Sequence, residues 1–175
     1  IGSFASRCGN LNYGQWESTD GISWSNSGCY TTTGNPDVLT TWVDNNPASP
    51  YYGRQYAAFN DYAVTNGPPR VIYSTDDGAT WSAPTSPINL FRRAVKITGS
   101  LGSDGTVFLQ TLDEAGGGLG GRANYIFRST NGGVSWSTGI SQGPVFPSPA
   151  RGLCEANPYF AGMYNTPVAG YWRYM

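Results

Sequence analysis

One short pattern occurs three times in this chain and constrains the fold more than any other feature. Ser74-Thr75-Asp76-Asp77-Gly78-Ala79-Thr80-Trp81 and Ser129-Thr130-Asn131-Gly132-Gly133-Val134-Ser135-Trp136 match position for position, with Asn for Asp and Ser for Thr in the later copy. Ser18-Thr19-Asp20-Gly21-Ile22-Ser23-Trp24 is a third copy, one residue shorter. The tryptophans stand 57 and 55 residues apart, a regular period of the kind that marks a repeat architecture. Each copy reads as a turn between two strands. Asp or Asn accepts hydrogen bonds from backbone N–H groups further along, Gly supplies a positive φ, and Trp starts the next strand and packs under the turn.

The segments before each turn support this reading. Arg70-Val71-Ile72-Tyr73 and Asn124-Tyr125-Ile126-Phe127 are rich in β-branched and aromatic residues, as strands are. Further upstream lie Gln55 to Phe59 and Thr106 to Leu112, followed by Asp61 and Asp113, and before those Val38 to Val43 and Ala94 to Thr98. Each period therefore predicts four short antiparallel strands, and a radial array of such sheets is a β-propeller. The fold class expected is all-β, with blades of about 55 residues. At that period 175 residues hold three blades, whereas the smallest closed rings need about four and six would take about 330 residues. Residues 1–175 are thus read as one segment of a six- to seven-bladed propeller, completed by the rest of the same propeller or by other chains. Tyr171 to Met175 reads as a further strand. The competing architecture is a two-sheet β-sandwich.

Composition narrows the chemistry. Charged residues are 12% of the chain, with 24 Gly, 12 Pro and 14% aromatics, a turn-rich β composition rather than that of a helical bundle. There is no histidine, which removes Ser-His-Asp and Cys-His catalysis and every His-ligated metal site. Catalysis here would have to use carboxylates, Tyr, Arg or Lys. A net charge of -1 without a basic run predicts no nucleic-acid partner, and no apolar stretch is long enough to predict membrane insertion. Ile1 to Asn10 lack the charged-then-apolar pattern of a signal peptide.

The Ser-x-Asp-x-Gly-x-Thr-Trp pattern, met in full at Ser74 to Trp81, resembles the Asp-box or BNR repeat of the sialidase-like propeller superfamily. Trp42-Val43-Asp44, Tyr52-Gly53-Arg54 and Phe59-Asn60-Asp61 resemble BNR-repeat proteins of secreted bacterial type. The resemblance covers most of Ser18 to Trp136. It implies a secreted or cell-surface protein whose ligand is a glycan or other small polar molecule, bound on the face opposite the boxes. The boxes would then be structural, at Ser18, Asp20, Gly21 and Trp24, at Ser74, Asp76, Gly78 and Trp81, and at Ser129, Asn131, Gly133 and Trp136. The superfamily's Arg-Ile-Pro element does not occur in this sequence, so no catalytic role is carried over to any residue.

In a four-stranded meander, alternate loops lie on alternate ends. The face away from the boxes receives the loops Tyr62 to Pro69, Glu114 to Arg122 and Ala83 to Arg93. Candidate ligand-binding residues are therefore Asp61 and Asp113 at equivalent strand ends, Glu114, and the arginines Arg92, Arg93 and Arg122. Paired carboxyl groups serve glycoside hydrolysis as acid and base, and a Tyr nucleophile with carboxylate help serves in the sialidase exception. Arginines would clamp a substrate carboxylate through two parallel bonds. The plainer reading of Asp61 and Asp113 is strand-end turn formation, and that of Arg92 and Arg93 is one solvated and one stacked arginine, as would suit a non-catalytic propeller used as a surface, adhesion or assembly module. The glycine-rich stretch from Gly116 to Gly121 suits either a closing loop or a surface insertion.

Smaller features remain. Asp44-Asn45-Asn46 offers the hard oxygens that Ca²⁺ takes, but reads more simply as a turn before Pro47, and no metal site or cofactor is predicted. Tyr51, Tyr52, Tyr171 and Trp172 have the flat apolar faces that stack on sugar rings. Cys8 and Cys29 bracket a short segment, suiting either a disulfide in an oxidising compartment or two buried thiols, with Cys154 left over.

Overall fold

The structure, a computed structural model, describes residues 13–29, 36–114 and 121–146. These residues form nine strands and no helix. A hairpin of β1 (Gly14–Glu17) and β2 (Ser25–Cys29) comes first. Three strands follow, β3 (Pro36–Val43), β4 (Gln55–Asp61) and β5 (Pro69–Ser74), paired in that order. The last sheet is the complete unit, running β6 (Arg93–Gly99), β7 (Val107–Asp113), β8 (Ala123–Ser129) and β9 (Ile140–Ser141). Every pairing is antiparallel between sequence neighbours, the meander that the repeat predicts.

One strand differs from expectation. In the middle sheet the fourth strand shrinks to a single bridge between Val71 and Thr85. That bridge stands where Ile126 pairs with Ile140 one repeat later. The sequence Ala83-Pro84 before Thr85, with Pro87 just after it, explains the shortening, because proline carries no N–H for a ladder.

The boxes behave as turn-formers. In the second, Ser74 Oγ accepts from Gly78 N at 2.9 Å, and Asp76 Oδ1 accepts from Thr80 N at 2.9 Å. The third repeats this with Ser129 and Gly133 N at 2.8 Å, and Asn131 Oδ1 and Ser135 N at 2.9 Å. The first, a residue shorter, closes more tightly, with Ile22 N and Ser23 N both donating to Asp20 Oδ1. Asp and Asn are interchangeable here because the turn needs acceptor oxygens, which both supply.

Two of the box tryptophans bond beyond their own turns. Trp81 Nε1 donates to Gln15 Oε1 of β1 at 3.2 Å, and Trp136 Nε1 donates to Thr85 Oγ1 at 3.1 Å. Each indole therefore ties its sheet to the preceding one. Trp24 instead donates to Gly21 O within its own turn.

Alternation along β4 shows how the sheets fan. Tyr56 and Ala58 face a core with Val95, Ile97, Val107, Leu109 and Phe127 of the last sheet. Ala57 and Phe59, pointing the other way, join Ile72 and pack against Tyr13 and Trp81. Opposite faces of one sheet thus meet different neighbours, as in a propeller and not in a two-layer sandwich. Full burial of Phe59 or Ile72 stabilises this stack by about 1.5–3 kcal/mol each.

Cys29 is disulfide-bonded, which removes the buried-thiol alternative for it. Cys8 and Cys154 lie outside the described residues, as do Gly116, Gly117, Gly118 and Gly120 of the glycine-rich loop and Tyr171 to Met175.

Candidate functional site

The boxes sit at one end of the sheets, where Gln55 pairs with Ser74 and Val107 with Ser129. At the other end, β3 and β6 begin while β4 and β7 finish. Asp37 faces Asn60 there, and Arg93 faces Leu112. The antiparallel register therefore delivers the six candidate residues to the end away from the boxes, from several separate stretches of chain.

Four of the six close on one another directly. Arg92 Nη2 lies 3.1 Å from Asp113 Oδ2, and Arg93 Nε lies 2.6 Å from Glu114 Oε1. The second contact is an ion pair off the donor axis, since neither atom meets hydrogen-bond geometry. Arg122, 2% exposed, acts on Glu114 through its charge, while its backbone pairs with Phe146. Asp61 takes a different role: its Oδ1 accepts from Ala63 N at 3.1 Å, making the strand-end turn.

Glu114 has the most unusual environment. Its burial pushes its carboxyl up to about 7, with Asp113 adding to the rise while Arg93 and Arg122 pull against it. Only 4% of the residue is exposed. Desolvation of the charged form outweighs two nearby cations.

Backbone irregularity shapes the same corner. Both β3 and β6 carry a register shift near their starts, between Asp37 and Thr40 and between Arg93 and Lys96. In β6 the buried Ala94 adopts φ 51°, a conformation that costs a non-glycine residue about 1–3 kcal/mol. Such a bulge re-aims the side chains beside it, here Arg93.

Sequence reasoning missed several neighbours. Asn60 donates to Arg92 O at 2.6 Å and Gly67 O at 3.1 Å, locking two loops together. Arg93 lies over the Phe91 ring at 5.1 Å and Arg92 over Tyr125 at 5.5 Å. Tyr62, whose ring centroid is 5.9 Å from that of Phe91, has its hydroxyl pKa raised by burial, with Arg93 opposing and Asp37 and Glu114 adding. Asn60 and Tyr62 flank Asp61 in sequence, and Phe91 precedes Arg92. That adjacency was the available signal.

The remaining features resolve as structure. Asp44 accepts from Ser49 Oγ at 2.5 Å and from Asn46 N at 3.2 Å, so the Asp44 to Asn46 segment is a turn. Among the described residues no group of three or more Cys, Asp or Glu side chains is placed to hold a metal. Tyr51 is covered by Arg54, whose guanidinium stacks between Tyr51 and Tyr73 at 4.5 and 4.3 Å and donates to Gly132 O at 2.7 Å. Tyr52 stays exposed. No described helix is long and apolar enough to cross a membrane.

No family model matches the chain, and no curated protein does. Similar solved structures are propeller glycosidases. A mutant of the α-L-arabinofuranosidase Arb93A of Fusarium graminearum, in complex with an iminosugar inhibitor, aligns with a TM-score of 0.53 at 13% identity, covering 74% of this chain and 40% of that one. The GH93 α-L-arabinofuranosidase of the same fungus with arabinobiose gives 0.53 at 14% identity, over 76% and 41%. The chain thus spans about two-fifths of those proteins' length, and the likeness establishes the propeller fold.

Proposed function

We propose that this chain is part of a secreted or cell-surface propeller that binds or hydrolyses glycans at the end opposite its Asp boxes. The observation that carries the reading is Glu114, buried beside Arg93 and Arg122 with its carboxyl pushed up to about 7. A carboxyl of that kind keeps a substantial protonated fraction near neutrality and suits proton donation to a departing glycosidic oxygen. Arg92, Arg93 and Arg122 supply fixed donors for sugar hydroxyls or a substrate carboxylate. That similar folds include an enzyme seen with arabinobiose supports a sugar ligand. Sialidase-like chemistry, as the box resemblance suggests, is the finer form of the proposal. The Cys29 disulfide supports an oxidising compartment, and the rest of the ring would come from the same propeller or from other chains.

A second reading rests on the internal pairing. Because Arg92 meets Asp113 and Arg93 meets Glu114, these charges already satisfy one another, as in a non-catalytic adhesion or assembly module. Fluorogenic arabinofuranosides and sialosides, offered to the intact protein, separate the two. The glycosidase reading expects turnover that Glu114→Gln lowers by about a hundredfold or more and that an Arg92→Ala/Arg93→Ala double variant abolishes. Absence of both turnover and glycan binding would leave only the scaffold.

A further inference from the structure

A cleft of about 680 Å³ opens at the box end, between the β1–β2 hairpin and the start of β4. Trp16 and Trp24 line it together with Glu17, Gln55, Ser25 and Asp77. We infer that this cleft is a second saccharide site, distinct from the Glu114 cluster, and that it takes a neutral sugar.

Two observations support this. Trp24 is 48% exposed, whereas Trp81 and Trp136 donate to the sheet before theirs. An accessible indole beside a second one offers the flat apolar faces on which pyranose and furanose rings stack. The polar groups are also set in place. Buried Gln15 donates from Nε2 to Glu17 Oε1 at 2.6 Å while its Oε1 accepts from Trp81 Nε1, so the carboxylate is held by a side chain that is itself fixed.

Charge selects the class of sugar. Among the described residues, Glu17 and Asp77 line the cleft, and no Lys or Arg does. Carboxylates accept from sugar hydroxyls but repel an acidic sugar.

Titrating the full chain with arabinotriose, xylotriose and cellotriose, with trigalacturonate as the anionic counterpart, tests the site through the indole N–H resonances. At least one neutral trisaccharide should give saturable shifts at Trp16 and Trp24 at about 10 mM, leaving Trp42 unmoved. Trp24→Ala, at an exposed position, should weaken that binding about tenfold or more, and Trp16→Phe should preserve part of it. The Arg92→Ala/Arg93→Ala variant should bind as tightly as the parent, which separates failure of this site from failure of the other. The inference is overturned by absence of saturable shifts, by equal binding of trigalacturonate, or by an unaffected Trp24→Ala. It is also overturned if Trp24 shifts only with protein concentration, which would make the cleft a contact between chains.

Discussion

The indole of Trp136 donates to the hydroxyl of Thr85 at 3.1 Å, and that hydroxyl also approaches Gly133 O at 3.0 Å. Two residues of adjacent sheets are thereby joined at the box turn, and Trp81 with Gln15 repeats the arrangement one sheet earlier. Replacing Trp136 by Phe keeps most of the buried surface and removes the donor. The expected loss is about 0.5–1.5 kcal/mol. Urea unfolding of Trp136→Phe, Thr85→Val and the double variant should show coupling, with the double loss smaller than the sum.

Gly99 lies directly under Trp42, so a Cβ at that position would overlap the indole ring. Trp42 in turn stacks on Tyr56 at 5.4 Å in the main core. Gly99→Ala should therefore destabilise by about 1–3 kcal/mol through overpacking, whereas Gly102→Ala, with only a hydroxyl and a carboxylate nearby, should cost less. Thermal melts of the two variants rank them.

Asp20 and Asp76 are each held at about 2 by the hydrogen bonds that they accept. In Asp20 the Ser23 and Ile22 N–H groups lead, and in Asp76 the Thr80 hydroxyl and N–H do. A carboxyl whose native pKa lies below its ordinary 3.8 contributes stability that is present above 3.8 and lost as the pH falls toward 2. Asp76→Asn should remove part of this acid sensitivity, because Asn131 already shows that the amide makes the same turn. Conversely, Asn131→Asp should add to it. Unfolding midpoints measured from pH 5 down to about 2 give the comparison.

Glu114 predicts the opposite slope. Its native pKa, about 7, lies above the ordinary 4.5, so the folded chain binds a proton more tightly than the unfolded one. Its contribution is fully present below 4.5 and is lost as the pH rises through 7. Glu114→Gln should flatten the stability profile in that window, and a carboxyl carbon resonance titrating near 7 should disappear with the substitution.

Much of the fold was legible because its signals are local. Val71, Ile72 and Tyr73 announce a strand by side-chain type, and Asp76 and Gly78 announce a turn within a few residues. Even the end of the sheets opposite the boxes follows from counting strands, which is why Arg92, Arg93, Asp113 and Glu114 emerged together. Their pairing was not legible. The bulge at Ala94 aims Arg93, and Asn60 reaches across 32 residues to Arg92 O, contacts that no spacing rule encodes. The same holds for the box tryptophans, whose partners Gln15 and Thr85 lie 66 and 51 residues away.

The sequence by itself determined the repeated hairpin, its period and the end of the sheets to which the charged residues go, since hydrogen bonding within a turn and alternation along a strand depend only on near neighbours. Tertiary structure alone decided that Asp113 and Glu114 meet arginines and that Glu114 is buried against them, whereas Asp61, at the strand end equivalent to Asp113, closes the local turn that its position suggests. Desolvation and ion pairing depend on what the neighbouring loops bring alongside.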